Sequence, residues 1–231
     1  MGGMKHRSEP GRDYRLVVDE GTTKAKFYPT TEEIERFVEE AGSDDLPTFG
    51  GKFAGGIHVQ QVPDEIAPCI RAILESGEVV TSYFELGVAA GGTAFLMHHF
   101  FRPAIVVLLD NDQHHKCSLR PVVLADVPHE EVIGDSGDIS VAKRVADLGY
   151  TYDAMMIDGV HHYENVRRDV EMYAPLLRVG GFLMLHDSAL ANWGVPRVVA
   201  ELKANPAWEF VGEWASKTTT PCGVALFQRI A

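Results

Sequence analysis

Cysteines, basic residues and long apolar runs are scarce in this 231-residue chain. The three cysteines, Cys69, Cys117 and Cys222, lie far apart with no CxxC pair, which indicates reduced thiols in a cytosolic protein. Lys plus Arg total 21 against 33 Asp plus Glu, and the net charge of −12 argues against nonspecific nucleic-acid binding. No apolar run reaches the roughly 18 residues that cross a bilayer, and residues 1–6 lack the apolar region of a signal peptide. We therefore expect an acidic cytoplasmic protein that binds neither nucleic acid nor membrane.

From residue 82 onward, short apolar runs alternate with helical patterns. This alternation predicts an α/β fold with a Rossmann-like, doubly wound and mostly parallel sheet of seven strands. The last two runs are joined without room for a helix, so they should pair as a C-terminal antiparallel hairpin. The expected strands are 83–86, 105–109, 132–133, 152–157, 182–185, 208–214 and 224–228, and the expected helices are 93–101, 113–123, 139–148, 163–177 and 196–203.

The region before this alternation predicts a separate N-terminal part, residues 1–60, ahead of a main domain at 61–231. Residues 1–30 are polar and punctuated by glycine and proline, which favours an irregular arm. Thr31 resembles an N-cap before an acidic first turn. The stretch 49–56 holds four glycines and is expected to be a loop, and Pro63 suits the first turn of another helix.

The first strand of the alternation leads into a glycine-rich turn, in which Gly87 permits a sharp turn and Gly91 precedes the helix that begins at Thr93. Its spacing, G-x-x-x-G-G, differs from the G-x-G-x-x-G of dinucleotide dehydrogenases. Glu85 would repel a pyrophosphate, so the turn suits a cationic or hydroxyl-rich ligand. The alternative is an ordinary strand-to-helix turn.

The next two strands also end in short polar residues. Asp110 or Asp112 can accept ribose hydroxyls, as the acid after the second strand does in dinucleotide folds, and the alternative is a turn-forming Asp-Asn pair. Asp135 and Ser136 can hydrogen-bond an adenine edge, whereas Asp138 suits a helix cap.

Asp158 and Asp187 end two apolar strands that should be neighbours. Buried together they would repel each other, and a divalent metal would resolve the repulsion and lower the pKa of a bound substrate hydroxyl. The alternative is that Asp158 caps the following helix and Asp187 starts a turn. His161 and His186 fall at the same place, and an imidazole with a pKa near 6.5 suits removal of a hydroxyl proton.

The other histidines are expected to have no catalytic role. His162 is expected to be solvated in the first turn of a helix. The pairs His98-His99 and His114-His115 are expected on helices away from the site, as structural or surface residues.

The run from Asp158 through His161 and Tyr163, the Tyr173–Leu177 segment Y-A-P-L-L, and the pair His186-Asp187 resemble class I S-adenosylmethionine-dependent methyltransferases. The resemblance is greatest to the small-molecule O-methyltransferase group that includes cephalosporin hydroxylase-like and macrocin O-methyltransferase-like proteins. It covers about residues 50–230 and includes a looser match at Gln60-Gln61 and Pro63-Asp64.

The resemblance implies S-adenosylmethionine as cofactor, with Mg²⁺ or another divalent metal as an optional second. Asp158 and Asp187 match metal ligands, and His186 stands where a second carboxylate is common, which disfavours Mg²⁺ relative to softer metals. The positions implied for the cofactor are Glu85, Gly87, Gly91 and Thr93 at the methionine, Asp110 or Asp112 at the ribose, Asp135 and Ser136 at the adenine, and Asp158.

The expected function is transfer of a methyl group to a hydroxyl of a sugar, a phenol or a natural product, as in natural-product biosynthesis. His161 is the first candidate for the base, with Asp158 and His186 beside it. The expected partner is the small-molecule acceptor, and a homo-oligomer stays open. The alternatives are an NAD-dependent oxidoreductase and an inactive cofactor-binding module.

Overall fold

The computed structural model describes residues 13–19, 22–42, 59–217 and 221–231. Strands β1 (Asp13–Asp19) and β2 (Thr22–Tyr28) pair antiparallel, with Asp19 opposite Thr22. The expectation of an irregular arm over residues 1–30 is therefore wrong for these two segments. The overlooked signal is the alternation of Lys24 and Lys26 with Ala25 and Phe27, since a period of two is the pattern of a strand.

Helix α1 (Thr31–Ala41) begins one residue earlier than expected, because Thr30 is its N-cap. The Thr30 hydroxyl accepts a hydrogen bond from the Glu33 amide at 3.2 Å, and Glu33 Oε2 accepts one from the Thr30 amide at 2.8 Å. These two bonds form a capping box. Helix α2 (Pro63–Ser76) starts at proline as expected. The glycine-rich stretch 49–56 lies outside the described residues.

The remaining elements form one seven-stranded sheet with helices on both faces. Its strand order is β5-β4-β3-β6-β7-β9-β8, in which β3 to β7 run parallel and β9 pairs antiparallel with both β7 and β8. The predicted Rossmann-like fold with a closing antiparallel hairpin is confirmed. The elements are β3 (Ser82–Leu86), α3 (Gly92–Phe101), β4 (Ile105–Asp110), α4 (Arg120–Val123), β5 (Glu130–Ile133), α5 (Ile139–Asp147), β6 (Tyr152–Ile157), α6 (Tyr163–Tyr173), β7 (Leu177–His186), α7 (Val195–Ala204), β8 (Trp208–Trp214) and β9 (Val224–Arg229).

Prolines explain where two predicted helices differ from the structure. The helix expected at 113–123 is reduced to a 3₁₀ turn at Cys117–Leu119 and the short α4, which has Pro121 in its first turn. The helix expected to reach Leu177 ends at Tyr173 and passes into a 3₁₀ turn that contains Pro175. Proline lacks the amide hydrogen that an α-helix interior needs, so Pro121 is accommodated in a first turn and Pro175 in a 3₁₀ turn.

Alternate strand residues enter two separate cores, one on each face of the sheet. Tyr83 packs with the α1 and α2 side chains, whereas Phe84 packs on the other face with Tyr152 and Tyr173. Ile34 and Val38 of α1 belong to the first core. The division of the chain at residue 60 stays a prediction. None of the described helices is long and apolar enough to span a membrane.

Because β3 to β7 are parallel, their carboxyl ends meet along one rim of the sheet. Ligands of open α/β sheets bind outside this rim, where the strand order reverses. The reversal lies between β3 and β6, since the chain runs outward from β3 to β5 and then returns to β6 on the other side of β3.

Candidate functional site

A cavity of about 370 Å³ lies along this rim, within the range typical of small-molecule sites. It extends from the turns after β3, β4 and β5 to the turns after β6 and β7. The predicted site residues that line it are Gly87, Thr93, Asp110, Asp135, Ser136, Asp158, His161, His186 and Asp187. Glu85, Gly91 and Asp112 are outside this lining.

The glycine turn packs against the end of β6. Gly87 has φ +83°, and a Cβ there would overlap the carbonyl oxygen of Asp158. Gly91 has φ +89°, and a Cβ there would crowd Leu124. Both positions therefore require glycine for the fold itself. A bulky substitution at Gly87 would disturb the Asp158 turn and would not report on the cofactor alone.

Glu85 lies inside the sheet and not in the cavity. It is buried, and Tyr83 Oη donates a hydrogen bond to its Oε2 at 2.7 Å. Burial raises the pKa of Glu85 to about 8, even though the Tyr83 hydrogen bond acts to lower it. Glu85 thus lies outside the cavity lining, and its predicted role at the cofactor stays a prediction.

Asp110 holds the glycine turn in place. Its Oδ2 accepts hydrogen bonds from the Val88 amide at 2.7 Å and the Ala89 amide at 2.9 Å. Asp112 lies outside the cavity lining, and its Oδ1 is 3.0 Å from Arg120 Nη1. Of the two acids considered for the ribose, the structure brings Asp110 to the cavity, and the ribose role stays a prediction.

Arg120 is a residue that the sequence analysis missed. It is buried, its Nε donates to the Ala89 carbonyl at 3.1 Å, and its guanidinium lies 3.6 Å from Asp110. This one side chain therefore connects the glycine turn to the acidic turn after β4.

The turn after β5 is fixed by helix α6. Tyr173 Oη donates to the Ser136 carbonyl at 2.8 Å, and Asp135 Oδ1 accepts from the Gly137 amide at 2.8 Å. Asp138 caps α5 through the Ser140 amide at 2.7 Å, as expected. The adenine role of Asp135 and Ser136 stays a prediction.

Two aspartates and two histidines meet where β6 and β7 end; we call these four residues the rim cluster. His161 Nε2 lies 2.9 Å from Asp187 Oδ2 and 3.4 Å from Asp158 Oδ1. His186 Nδ1 lies 3.0 Å from Asp158 Oδ1 and 3.4 Å from Asp187 Oδ2. Asp158 does not cap α6, because the N-cap is His162.

In the rim cluster, pairing between opposite charges outweighs burial and sets the direction of the pKa shifts. Burial acts to lower the pKa of His161, but the Asp158 and Asp187 carboxylates outweigh it and raise the pKa to about 9. The same two carboxylates raise the pKa of His186 well above its ordinary value, although burial opposes this. Burial acts to raise the pKa of Asp187, but the two histidines lower it overall. The pairing thus favours the charged forms of His161, His186 and Asp187.

The donor atoms of Asp158, His186 and Asp187 could also hold a metal, since they lie within 4.8 Å of one another. One imidazole and two carboxylates suit Mn²⁺ or Zn²⁺ better than Mg²⁺, which prefers oxygen ligands throughout. A metal would compete with the histidine protons for the same carboxylates.

Behind His186 lies a second buried carboxylate, that of Glu65 on α2. Its Oε1 accepts from the Ser216 amide at 2.6 Å and the Cys222 amide at 3.0 Å, and its Oε2 accepts from the Gly223 amide at 2.9 Å. The Cys222 and Gly223 carbonyls accept in turn from the Ala189 and Ser188 amides, just after Asp187. Glu65 therefore supports the backbone next to the rim cluster.

Two further residues that sequence reasoning left out of the site line the cavity. His114 lies in the turn after β4, not on a helix away from the site, which corrects the expectation. Trp193 stacks on His161 with ring centroids 3.8 Å apart. In the sequence, the only indication that Trp193 lies near the site is its position six residues after Asp187.

The strand order and the cavity over the strand ends define a class I methyltransferase fold. Residues 84–188 match the family model described as Methyltransferase domain, in agreement with the resemblance to class I methyltransferases found in the sequence. No curated protein matches the chain.

Solved structures of methyltransferases share this fold. The O-methyltransferase TomG from Streptomyces achromogenes, in complex with SAM, has a TM-score of 0.61 and 13% identity, over 94% of this chain and 92% of its own. The O-methyltransferase from Bacillus cereus, in complex with SAH, has a TM-score of 0.58 and 14% identity, over 86% of this chain and 90% of its own. The N-methyltransferase NodS from Bradyrhizobium japonicum has a TM-score of 0.54 and 16% identity, over 71% of this chain and 94% of its own.

Proposed function

We propose that the protein transfers a methyl group from S-adenosylmethionine to a hydroxyl of a small molecule. The observation that carries the proposal is the rim cluster, which places the His161 ring in the same cavity as the glycine turn, Asp110 and Ser136. The cavity thus has room for a nucleoside and a proton acceptor at opposite ends. TomG and the Bacillus cereus enzyme, both O-methyltransferases, support this reading.

The cavity residues fit the parts of the cofactor. In this proposal Gly87 and Thr93 would flank the methionine end, Asp110 and Asn111 would bind the ribose hydroxyls, and Asp135 and Ser136 would bind the adenine; all six line the cavity. When bound, S-adenosylmethionine supplies an electrophilic methyl group, whose bond to sulfur breaks with the electron pair left on sulfur.

In this proposal His161 Nδ1 accepts the hydroxyl proton as the new oxygen–methyl bond forms, because Nε2 donates to the carboxylates. Only the neutral ring can act as the base, and the proton converts it to imidazolium. Asp158 and Asp187 orient the ring through Nε2 and stabilise its charge, as a carboxylate does beside a catalytic imidazole. Alignment of the two substrates supplies much of the remaining rate enhancement.

Metal assistance is a second part of the proposal. Asp158, Asp187 and His186 would hold the ion, and its chemistry would be to bind the acceptor hydroxyl and lower the pKa of that hydroxyl. We expect Mn²⁺ to stimulate transfer more than Mg²⁺, and EDTA to abolish the stimulation.

The first test is calorimetric titration with S-adenosylhomocysteine and with NAD, followed by methyl transfer to phenols, sugars and amines. The proposal predicts binding of the homocysteine product, no binding of NAD, and methylation of a hydroxyl compound. Binding of NAD alone would support the oxidoreductase, whereas methylation restricted to amines would contradict O-methyl transfer.

A further inference from the structure

We propose that Trp193 and Val160 form an acceptor subsite for an aromatic ring, so that the methyl acceptor is a phenol. The inference deepens the proposed function and rests on it for the reaction. It is independent of any metal, because it concerns how the acceptor ring is held.

The first observation is an exposed apolar surface in the lining of the cavity. Trp193 is 40% exposed and Val160 is 47% exposed, and both line the cavity beside the rim cluster. Large apolar side chains that stay exposed at a concave site usually mark a place for a ligand.

The second observation is that Trp193 is held in place. Its indole ring stacks on His161 at 3.8 Å with an interplanar angle of 29°. The Trp193 amide donates to the Leu190 carbonyl at 2.9 Å, and the Gly194 amide donates to the His161 carbonyl at 2.8 Å. A Cβ at Gly194 would overlap the Tyr163 backbone, so this loop packs tightly against the turn that carries His161.

These contacts place a broad aromatic surface next to the proposed base. A planar acceptor that packs on the exposed part of Trp193 and against Val160 brings its substituents within reach of His161. Aromatic stacking favours a flat phenolic ring over a saturated one.

The test compares catechol with its saturated counterpart, cyclohexane-1,2-diol, in the presence and absence of S-adenosylhomocysteine. Affinity is measured by calorimetry in the wild type, Trp193→Phe and Trp193→Ala, with Trp208→Phe as the matched control, and quenching of tryptophan fluorescence is recorded in parallel. We expect catechol to quench the wild type and Trp208→Phe, and to bind Trp193→Ala roughly tenfold more weakly. Trp193→Phe should keep most of the affinity and lose the quenching, and this retention shows that the loop is folded.

Equal binding of the saturated diol, or unchanged catechol affinity in Trp193→Ala, would overturn the subsite. Calorimetry with S-adenosylhomocysteine separates this failure from failure of the proposed function. Cofactor-product binding without a preference for catechol removes only the subsite. Catechol quenching without cofactor-product binding removes the methyl-transfer proposal and leaves the aromatic subsite standing.

Discussion

The two ends of the cavity are built differently. At the end formed by the turns after β3, β4 and β5, side chains bind backbone amides, as Asp110 binds Val88 and Ala89. At the end formed by β6 and β7, titratable side chains bind one another, as His161 binds Asp187. The first end is thus held by bonds between a side chain and the backbone, whereas at the second end oppositely charged side chains hold one another. In the proposed function, the first end binds the cofactor and the second end supplies the base for methyl transfer.

The largest expected effect follows from removing the proposed base. His161→Gln should lower the rate of methyl transfer by roughly 10²–10⁴-fold, because general base catalysis is lost. Initial rates at saturating substrate measure this. The exposed neighbour His162 offers a matched control, and His162→Gln should keep the wild-type rate. A wild-type rate in His161→Gln would make His161 a structural residue, and His186 would be the next candidate.

A smaller effect is expected at the binding end. Asp110→Asn should weaken S-adenosylhomocysteine binding by roughly 10- to 100-fold, since a charged acceptor for ribose hydroxyls is lost. Asp126→Asn, at an exposed acid, is the control for charge alone. If Asp110→Asn lowers the melting temperature but binds the product normally, Asp110 only holds the glycine turn.

Glu65→Gln tests the support behind the rim cluster. An amide cannot accept hydrogen bonds at both ends, so one of the Ser216, Cys222 and Gly223 amides faces another donor. We expect a loss of about 2–4 kcal/mol in the free energy of unfolding. Denaturant titration measures it, with Glu75→Gln on the same helix as a control expected to lose less than about 1 kcal/mol. Equal stability of the two variants would contradict the role of Glu65.

The pH dependence of the methyl-transfer rate tests how the carboxylates act on His161. An unperturbed histidine would give a rate that rises near pH 6–7. The Asp158 and Asp187 carboxylates overcome the effect of burial and raise the pKa of His161 to about 9. Only the neutral ring accepts a proton, so the rate without added metal should rise through about pH 9. Added Mn²⁺ should move the rise to lower pH. A metal-free rise at pH 6–7 would show that the carboxylates do not act on His161 during turnover.

The sequence predicts this fold well because the alternation of short apolar runs and amphipathic segments is a local pattern. It also predicts that Asp158, His161, His186 and Asp187 meet, because parallel strand ends share one rim. It does not show that Glu65 supports residues 216–223, since that contact joins positions more than 150 residues apart. Likewise, the burial of Glu85 depends on the helices that cover both faces of β3, all five residues of which are buried.

The most direct measurement is calorimetric titration of S-adenosylhomocysteine into the wild type and His161→Gln side by side. If one end of the cavity binds and the other reacts, both proteins bind the product with the same affinity although only the wild type transfers methyl groups. Failure of the wild type to bind, or a loss of affinity in His161→Gln as large as its loss of rate, would contradict this account.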